Sequence, residues 1–427
     1  MLLCQAKGEL PIATASVSVT TPASAPTAIS APLQHPLRDR NFRLLFTGST
    51  ISLLGDQFYF VALPWLVLQQ TGSAVAMGTV MMAAAIPRVV FMLLGGAVSD
   101  RLSPRRIMMA GALARTICVA VIGVLVWFHV LHMWALYALA VAFGIADAFD
   151  GPASSAFIPF LLKREQLVAA TSLSQTRTQL TTIAAPIPVG FIIKALGVAW
   201  AFFIDAISFL FIIGALIKLP DPPPNPAARK PIWHSIWEGI QYVGKDIPLR
   251  SLLLVVMGLN FSLAGPLNLG LAYLAKTRFA SPAIFGIMLS SVALGMLAGS
   301  LLAGIWKIRK RGMMILVVSL VLAALLSSMA IVNGRWSLAA VLLAMGIAAG
   351  LVNVHIAAWI LQRIDATVRG RVSSVLSLTG VGILPLSLAL AGLLIAVSLK
   401  FMFLFAASVM LLVTLVAAMQ KTVRQIE

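Results

Sequence analysis

Apolar residues in this chain fall in long unbroken runs, without the alternation of a half-buried strand. Twelve such runs stand out, at 42–68, 74–98, 107–126, 133–149, 167–193, 198–219, 252–274, 283–305, 313–332, 337–360, 372–397 and 401–419. Each is close to the roughly 20 residues that cross a hydrocarbon layer. A lone span in lipid must satisfy its own backbone hydrogen bonds, so every run is predicted to be an α-helix. The pattern therefore predicts an all-α polytopic membrane protein with 12 transmembrane helices. An even number puts both termini on one side.

Composition strengthens this picture. The 427 residues are 60% hydrophobic and 10% charged, with a mean hydropathy of +1.00. The net charge of +18 would suggest nucleic acid if its location did not explain it better. Counted by loop, 23 lysines and arginines fall on one face and five on the other, namely Lys194, Lys276, Arg278, Arg335 and Lys400. The positive-inside rule makes the richer face cytoplasmic, with both termini there. No nucleic-acid partner is needed. The two cysteines, Cys4 and Cys118, exclude a disulfide framework or a cysteine-rich metal centre.

The polar stretches divide the chain. Residues 1–36 are rich in Ala, Thr, Ser and Pro and are predicted to form a disordered cytoplasmic tail. Their apolar start, Met1 to Cys4, lacks a basic n-region, so no cleaved signal is expected. A first bundle is predicted at 37–219, a linker at 220–250, a second bundle at 251–420 and a short cytoplasmic tail at 421–427. The linker opens with six prolines between Pro220 and Pro231. In it Trp233, Ile236, Trp237, Ile240 and Val243 then recur at helical spacing, which predicts an amphipathic helix on the inner membrane surface. Gly239 to Asp246 nearly spells a phosphate-binding loop. Asp246 replaces the magnesium-ligating hydroxyl and no strand precedes it, so no nucleotide site is expected.

The two halves echo each other. Asp39 to Arg43 parallels Asp246 to Arg250, Gly144-Ile-Ala parallels Gly346-Ile-Ala, and Leu93 to Gly96 parallels Leu301 to Gly304. Two pseudo-symmetric six-helix bundles, related by an axis along the membrane normal, are predicted.

Ionisable side chains within the runs are functional candidates, because lipid makes them costly. They are Asp56, Arg88, Arg115, Asp147, Asp150, Arg177, Asp205 and His355. Counted from the cytoplasmic run ends at 1.5 Å per residue, Asp56 lies about 20 Å deep, Arg88 and Arg177 about 15 Å, Arg115 about 12 Å and Asp147 about 5 Å. Asp56 is therefore expected near Arg88, either as a proton-binding carboxylate or as half of a static pair. Arg177 is expected to pair with a buried acid, in preference to binding an anionic substrate group. His355 is expected to pack between helices or line the same cavity, and Asp205 to be satisfied locally. Arg115, Asp147 and Asp150 are expected nearer the cytoplasm as part of a gate. No other ligand cluster accompanies Asp147 and Asp150, so no metal is expected.

The stretch Gly96-Ala-Val-Ser-Asp100-Arg101-Leu-Ser-Pro-Arg105-Arg106 resembles the signature loop of the major facilitator superfamily, with Ser103 at a usual glycine. Pro186-Ile-Pro-Val-Gly190 resembles that superfamily's helix-five exporter motif, with Ala185 at a usual glycine. Asp39 to Leu44, Leu54 to Phe58 and Gly144 to Pro152 look like the bacterial branch of macrolide-efflux and enterobactin exporters. The resemblance implies that Gly96, Asp100, Arg101, Arg105 and Arg106 gate the cytoplasmic side, with Asp100 near Arg371 at the start of helix eleven. It implies that Pro186 and Gly190 soften helix five between the bundles. It further implies a monomeric proton-driven antiporter in the inner (plasma) membrane. That antiporter would export a bulky apolar compound by rocking its two bundles, with the proton gradient in place of a cofactor. A lipid translocator, an importing symporter and a non-transporting membrane sensor stay open. No G-x-S-x-G, H-E-x-x-H or Cys/His metal spacing occurs, so an enzyme is not expected.

Overall fold

The structure, a computed structural model, describes residues 35–222, 232–306, 310–364, 379–380, 382–420 and 424. The side chains of 93–101, 232–236, 238, 239 and 361 also lie outside the description. The expected disordered tail and absent signal therefore fall almost wholly outside it, as do Arg371 and the first part of run eleven.

The apolar runs form helices, and the polar residues at their ends close them. α1 (Arg40–Thr71) starts at Asp39, whose carboxylate accepts from Phe42 N at 2.9 Å. Such a cap satisfies one of the first-turn N–H groups. α2 (Ala74–Arg101), α3 (Pro104–Trp127), α4 (Met133–Leu161), α5 (Arg164–Leu196) and α6 (Val198–Lys218) complete the first half. α7 (Ile232–Lys245) lies in the linker. The second half comprises α8 (Ile247–Phe279), α9 (Pro282–Ile305), α10 (Arg311–Ser328), α11 (Arg335–Arg363), α12 (Leu384–Val397) and α13 (Leu399–Met419). Among the described residues, eleven helices are long and apolar enough to span a membrane, and α12 is a shorter apolar one. No strand occurs among them.

Two boundaries differ from expectation in ways that matter. Run four was expected to end at 149, but α4 continues to Leu161 through a single turn residue at Phe149. Asp147, Asp150 and Pro152 look like an exit from the membrane. They are instead tolerated mid-helix, because basic side chains meet the acids and Pro152 sits just after the break, where its missing N–H costs little. Run two was expected to end at 98. α2 runs on to Arg101, and only Leu102 and Ser103 connect it to α3.

The repeat is visible in the packing. Asp246 caps α8 as Asp39 caps α1, accepting from Leu249 N at 3.1 Å. Gly144 of α4 lies against α2, where an added Cβ would come within 2.1 Å of Ala84 O. Its counterpart Gly346 of α11 lies against α9, where a Cβ would come within 2.2 Å of Val292 O. Gly295 and Gly299 of α9 face Gly346 and Gly350 of α11, an exchange of small residues that lets membrane helices approach closely.

Contacts between the halves lie toward the face poor in lysine and arginine. Gly78, near the start of α2, meets Leu388 O and Gly392 of α12. Gly190, near the end of α5, meets Pro282 and Ala283 of α9, and Gly286 meets Pro186. Toward the opposite face, Thr171, Gln175 and Thr178 of α5 are exposed. Hydroxyl and amide side chains in such positions belong against water, not lipid. Among the described residues, the two halves therefore touch toward the charge-poor face, and α5 presents polar side chains to water toward the charge-rich one.

The stretch Gly239 to Lys245 is helical and Asp246 caps the next helix, so no loop remains to wrap a phosphate. Trp237 and Ile240 of α7 are exposed.

Candidate functional site

Four charged residues occupy the midpoints of four helices: Asp56 in α1, Arg88 in α2, Arg115 in α3 and Asp147 in α4. They converge. Arg115 is 3% exposed. Its Nη1 donates to Asp147 Oδ1 at 3.2 Å and lies 3.7 Å from Asp56 Oδ1, while its Nη2 lies 3.2 Å from Asp150 Oδ1. Its guanidinium also covers the Phe209 ring, 4.6 Å from the centroid. Arg88 Nε lies 2.9 Å from Asp147 Oδ2.

This arrangement corrects several expectations. Asp56 is not paired with Arg88, whose partner is Asp147. Arg115, Asp147 and Asp150 do not form a separate gate near the charge-rich face. They join Asp56 at mid-height, because α4 is twelve residues longer than its apolar run. Three carboxylates thus share two guanidiniums, an excess of one negative charge. Asp56 is the acid held most loosely, since its Oδ1 accepts no hydrogen bond. Burial in a low dielectric magnifies any such imbalance.

Asp205 is fully buried in α6. It accepts from the Ser208 hydroxyl at 3.5 Å, but its Oδ2 has no partner. Gly55 presses against this pair, since a Cβ there would come within 2.8 Å of Asp205 Oδ1. Asp205 is thus less well satisfied than expected.

Among the described residues, no acid lies within ion-pair distance of Arg177. Its Nη1 donates to Ser49 Oγ at 2.5 Å and its guanidinium lies 5.3 Å from the Phe46 centroid, so α1 supplies a hydroxyl and a ring face. His355 is buried, with Nδ1 2.9 Å from Leu351 O of its own helix, apart from the charge cluster. Pro186 and Gly190 sit where α5 crosses α9 between the halves.

Of the signature loop, the side chains of Gly96, Asp100 and Arg101 lie outside the described ones. Arg105 donates to Leu216 O at 2.6 Å and Ile217 O at 3.0 Å, two carbonyls in the last turn of α6. A cation there also complements the helix dipole. Arg106 donates to Asp221 at 2.9 Å, and so does the Ser103 hydroxyl. The Ser103 bond, reinforced by Arg106, holds the Asp221 carboxyl below its ordinary value. These arginines therefore tie the first half to the start of the linker.

One cavity touches the cluster, and a second shares Asn268 with that cavity. The first, of about 80 Å³, lies between the halves and is lined by Tyr59, Arg88, Phe143, Asp147, Asn268 and Leu388 among others. The other, of about 300 Å³, is confined to the second half, where Asn260, Asn268 and Asn353 are its amide-bearing residues. Single amides inside apolar runs carry no periodic signal. Only the register of the internal repeat could have drawn attention to them.

Comparison with known proteins agrees with this architecture. Residues 31–427 match the family described as transmembrane secretion effector. The chain is 24% identical over 269 residues to macrolide efflux protein A of Streptococcus pyogenes. It is 25% identical over 283 residues to the enterobactin exporter EntS of Escherichia coli O1:K1 / APEC. Each match covers 62% of this chain, and they span 66% and 63% of those relatives. Among solved structures it resembles the nucleoside transporter NupG, with a TM-score of 0.70, 14% identity, and coverage of 88% of this chain and 99% of that one. It also resembles a bacterial homologue of the iron transporter ferroportin in an inward-facing state, with a TM-score of 0.69 and 17% identity, covering 90% and 99%.

Proposed function

The chain belongs to the transmembrane secretion effector family of the major facilitator superfamily, and from that premise we propose that it is a proton-coupled antiporter exporting small molecules by alternating access. Its family and relatives make it a multi-pass membrane transporter and not an enzyme. Proton coupling, the direction of transport and the substrate class are the proposal. So are an inner-membrane location and a cytoplasmic charge-rich face, which the bacterial efflux relatives and the positive-inside rule support.

One observation carries the reading. The mid-height cluster holds three carboxylates against two guanidiniums, and Asp56 is its least compensated member. A proton on Asp56 neutralises the cluster without breaking any bond. Loss of that proton restores a negative charge in a place where lipid and protein screen it poorly. The two charge states favour different packings of the halves, which is what coupling requires. The glycine contacts join the halves at the charge-poor face, which in the proposed cycle is the state open toward the cytoplasm. In the opposite state a proton reaches Asp56 from outside as substrate leaves. Deprotonation to the cytoplasm then readies the cluster for the next substrate.

The test is accumulation of labelled chloramphenicol, a neutral compound, in bacterial cells with and without the chain. Expressing cells should accumulate less, and a proton ionophore should abolish the difference. Equal accumulation would contradict export of such compounds, and a difference insensitive to the ionophore would contradict proton coupling.

A further inference from the structure

The internal repeat relates the charge cluster of the first half to a cavity in the second. By the Asp39–Asp246 match Asp56 corresponds to Leu263. By the Gly96–Gly304 match Arg88 corresponds to Met296, and by the Gly144–Gly346 match Asp147 corresponds to Ala349. Leu263, Met296 and Ala349 all line the 300 Å³ cavity. Where the first half fills the space with charge, the second half leaves an apolar void at the same place in the bundle.

The void is not uniformly apolar. Asn260 donates to Val256 O at 2.9 Å and Asn268 to Ala264 O at 2.8 Å, each using one amide N–H on its own helix. Each keeps a carbonyl oxygen and a second N–H for a ligand. Asn353 adds a third amide from α11, and all three are exposed. Three amides facing hydrocarbon would be costly, so the cavity is where they belong. Among the described residues, no charged side chain lines it. A volume of about 300 Å³ is at the lower end of the range for ligand pockets, roughly 300–1,000 Å³, and suits a ring system or one face of a bulkier compound.

We propose that this second-half cavity is the substrate site, and that it takes a neutral, largely apolar molecule bearing hydroxyl, amide or amine groups for the three asparagines. The proposal rests on the exporter reading and gives it a division of labour. The first half carries the proton and the second carries the cargo. Asn268 joins them. It lies in a π-helical turn of α8, Pro266–Gly270, and also lines the smaller cavity beside Arg88 and Asp147. Such turns are rare and recur at functional sites.

The test uses the purified full chain in lipid nanodiscs and N-phenyl-naphthylamine, a neutral amine that fluoresces in apolar surroundings. Empty nanodiscs correct for partition into lipid. Ala349→Leu, which fills the void, and Asn353→Ala, which removes one amide, should each weaken binding about tenfold. Leu404→Trp, on an exposed face of α13, should keep wild-type affinity. Tetraphenylphosphonium, a cation of similar bulk, should not compete. If Ala349→Leu does not fold, Asn353→Ala decides. Unchanged affinity in the variants, or competition by the cation, would overturn the site. Movement of the same dye in proteoliposomes under a pH gradient is read separately. Dye that binds here but is not moved overturns the exporter reading and leaves the site standing. Gradient-driven movement with unchanged binding in both variants overturns the site and leaves the exporter.

Discussion

Arg88 reaches Asp147, Nε to Oδ2 at 2.9 Å, and leaves Asp56 to Arg115 at 3.7 Å. This single choice of partner sets the electrostatics of the whole cluster. Asp147 is held by two guanidiniums, whereas Asp56 is held by part of one. The acid that can change charge without dismantling the site is therefore Asp56.

Arg115 should be the structural anchor. It is nearly inaccessible and answers three carboxylates, and removing one member of a buried ion network typically costs about 3–5 kcal/mol. Arg115→Gln should lower the thermal unfolding temperature in detergent far more than Arg88→Gln, because the Arg88 side chain is 41% exposed and solvent screens it. Equal shifts for the two variants would contradict the anchor role.

The charge-poor face should depend on glycine contact between the halves. A Cβ on Gly286 would sit 2.1 Å from Pro186 O, a backbone atom that cannot move aside alone. Gly286→Val should stop transport by holding that face apart, while each half stays folded. A reporter is Leu388→Cys, buried against Gly78, in a background with Cys4 and Cys118 replaced. It should become reactive to a membrane-impermeant maleimide in Gly286→Val and remain protected in the parent. Protection in both would contradict the contact.

Much of this was legible in the sequence, for a physical reason. Lipid imposes long apolar helices, so hydropathy alone locates α1 to α6 and all of the second half that is described. It also exposes Asp56, Arg88, Arg115 and Asp147 as charges within spans. Their partners were not legible, because depth was counted from the ends of apolar runs. Charges that neutralise one another interrupt hydropathy without interrupting the helix. At Asp147, Asp150 and Pro152 this truncated α4 and placed two acids about 18 Å too near the cytoplasm. Counted from the true ends, Asp56, Arg88, Arg115 and Asp147 are all helix midpoints.

The tie between Ser103, Arg106 and Asp221 should be insensitive to physiological pH. The Asp221 carboxyl is held below its ordinary value, so its contribution is complete above that value and is lost only as pH falls through the lowered one. Asp221→Asn should lower the transport rate by loosening the linker, without changing the shape of its dependence on pH across the neutral range. A profile displaced along the pH axis would show that Asp221 titrates within the transport cycle.

Asp56 as the proton carrier is the centre of the account. The direct measurement is substrate movement in proteoliposomes with an imposed pH gradient, comparing wild type with Asp56→Asn. The amide is nearly isosteric and cannot carry charge, so the fold and substrate binding should survive. Gradient-driven accumulation should vanish, leaving only downhill exchange. Undiminished gradient-driven accumulation by Asp56→Asn would contradict the account.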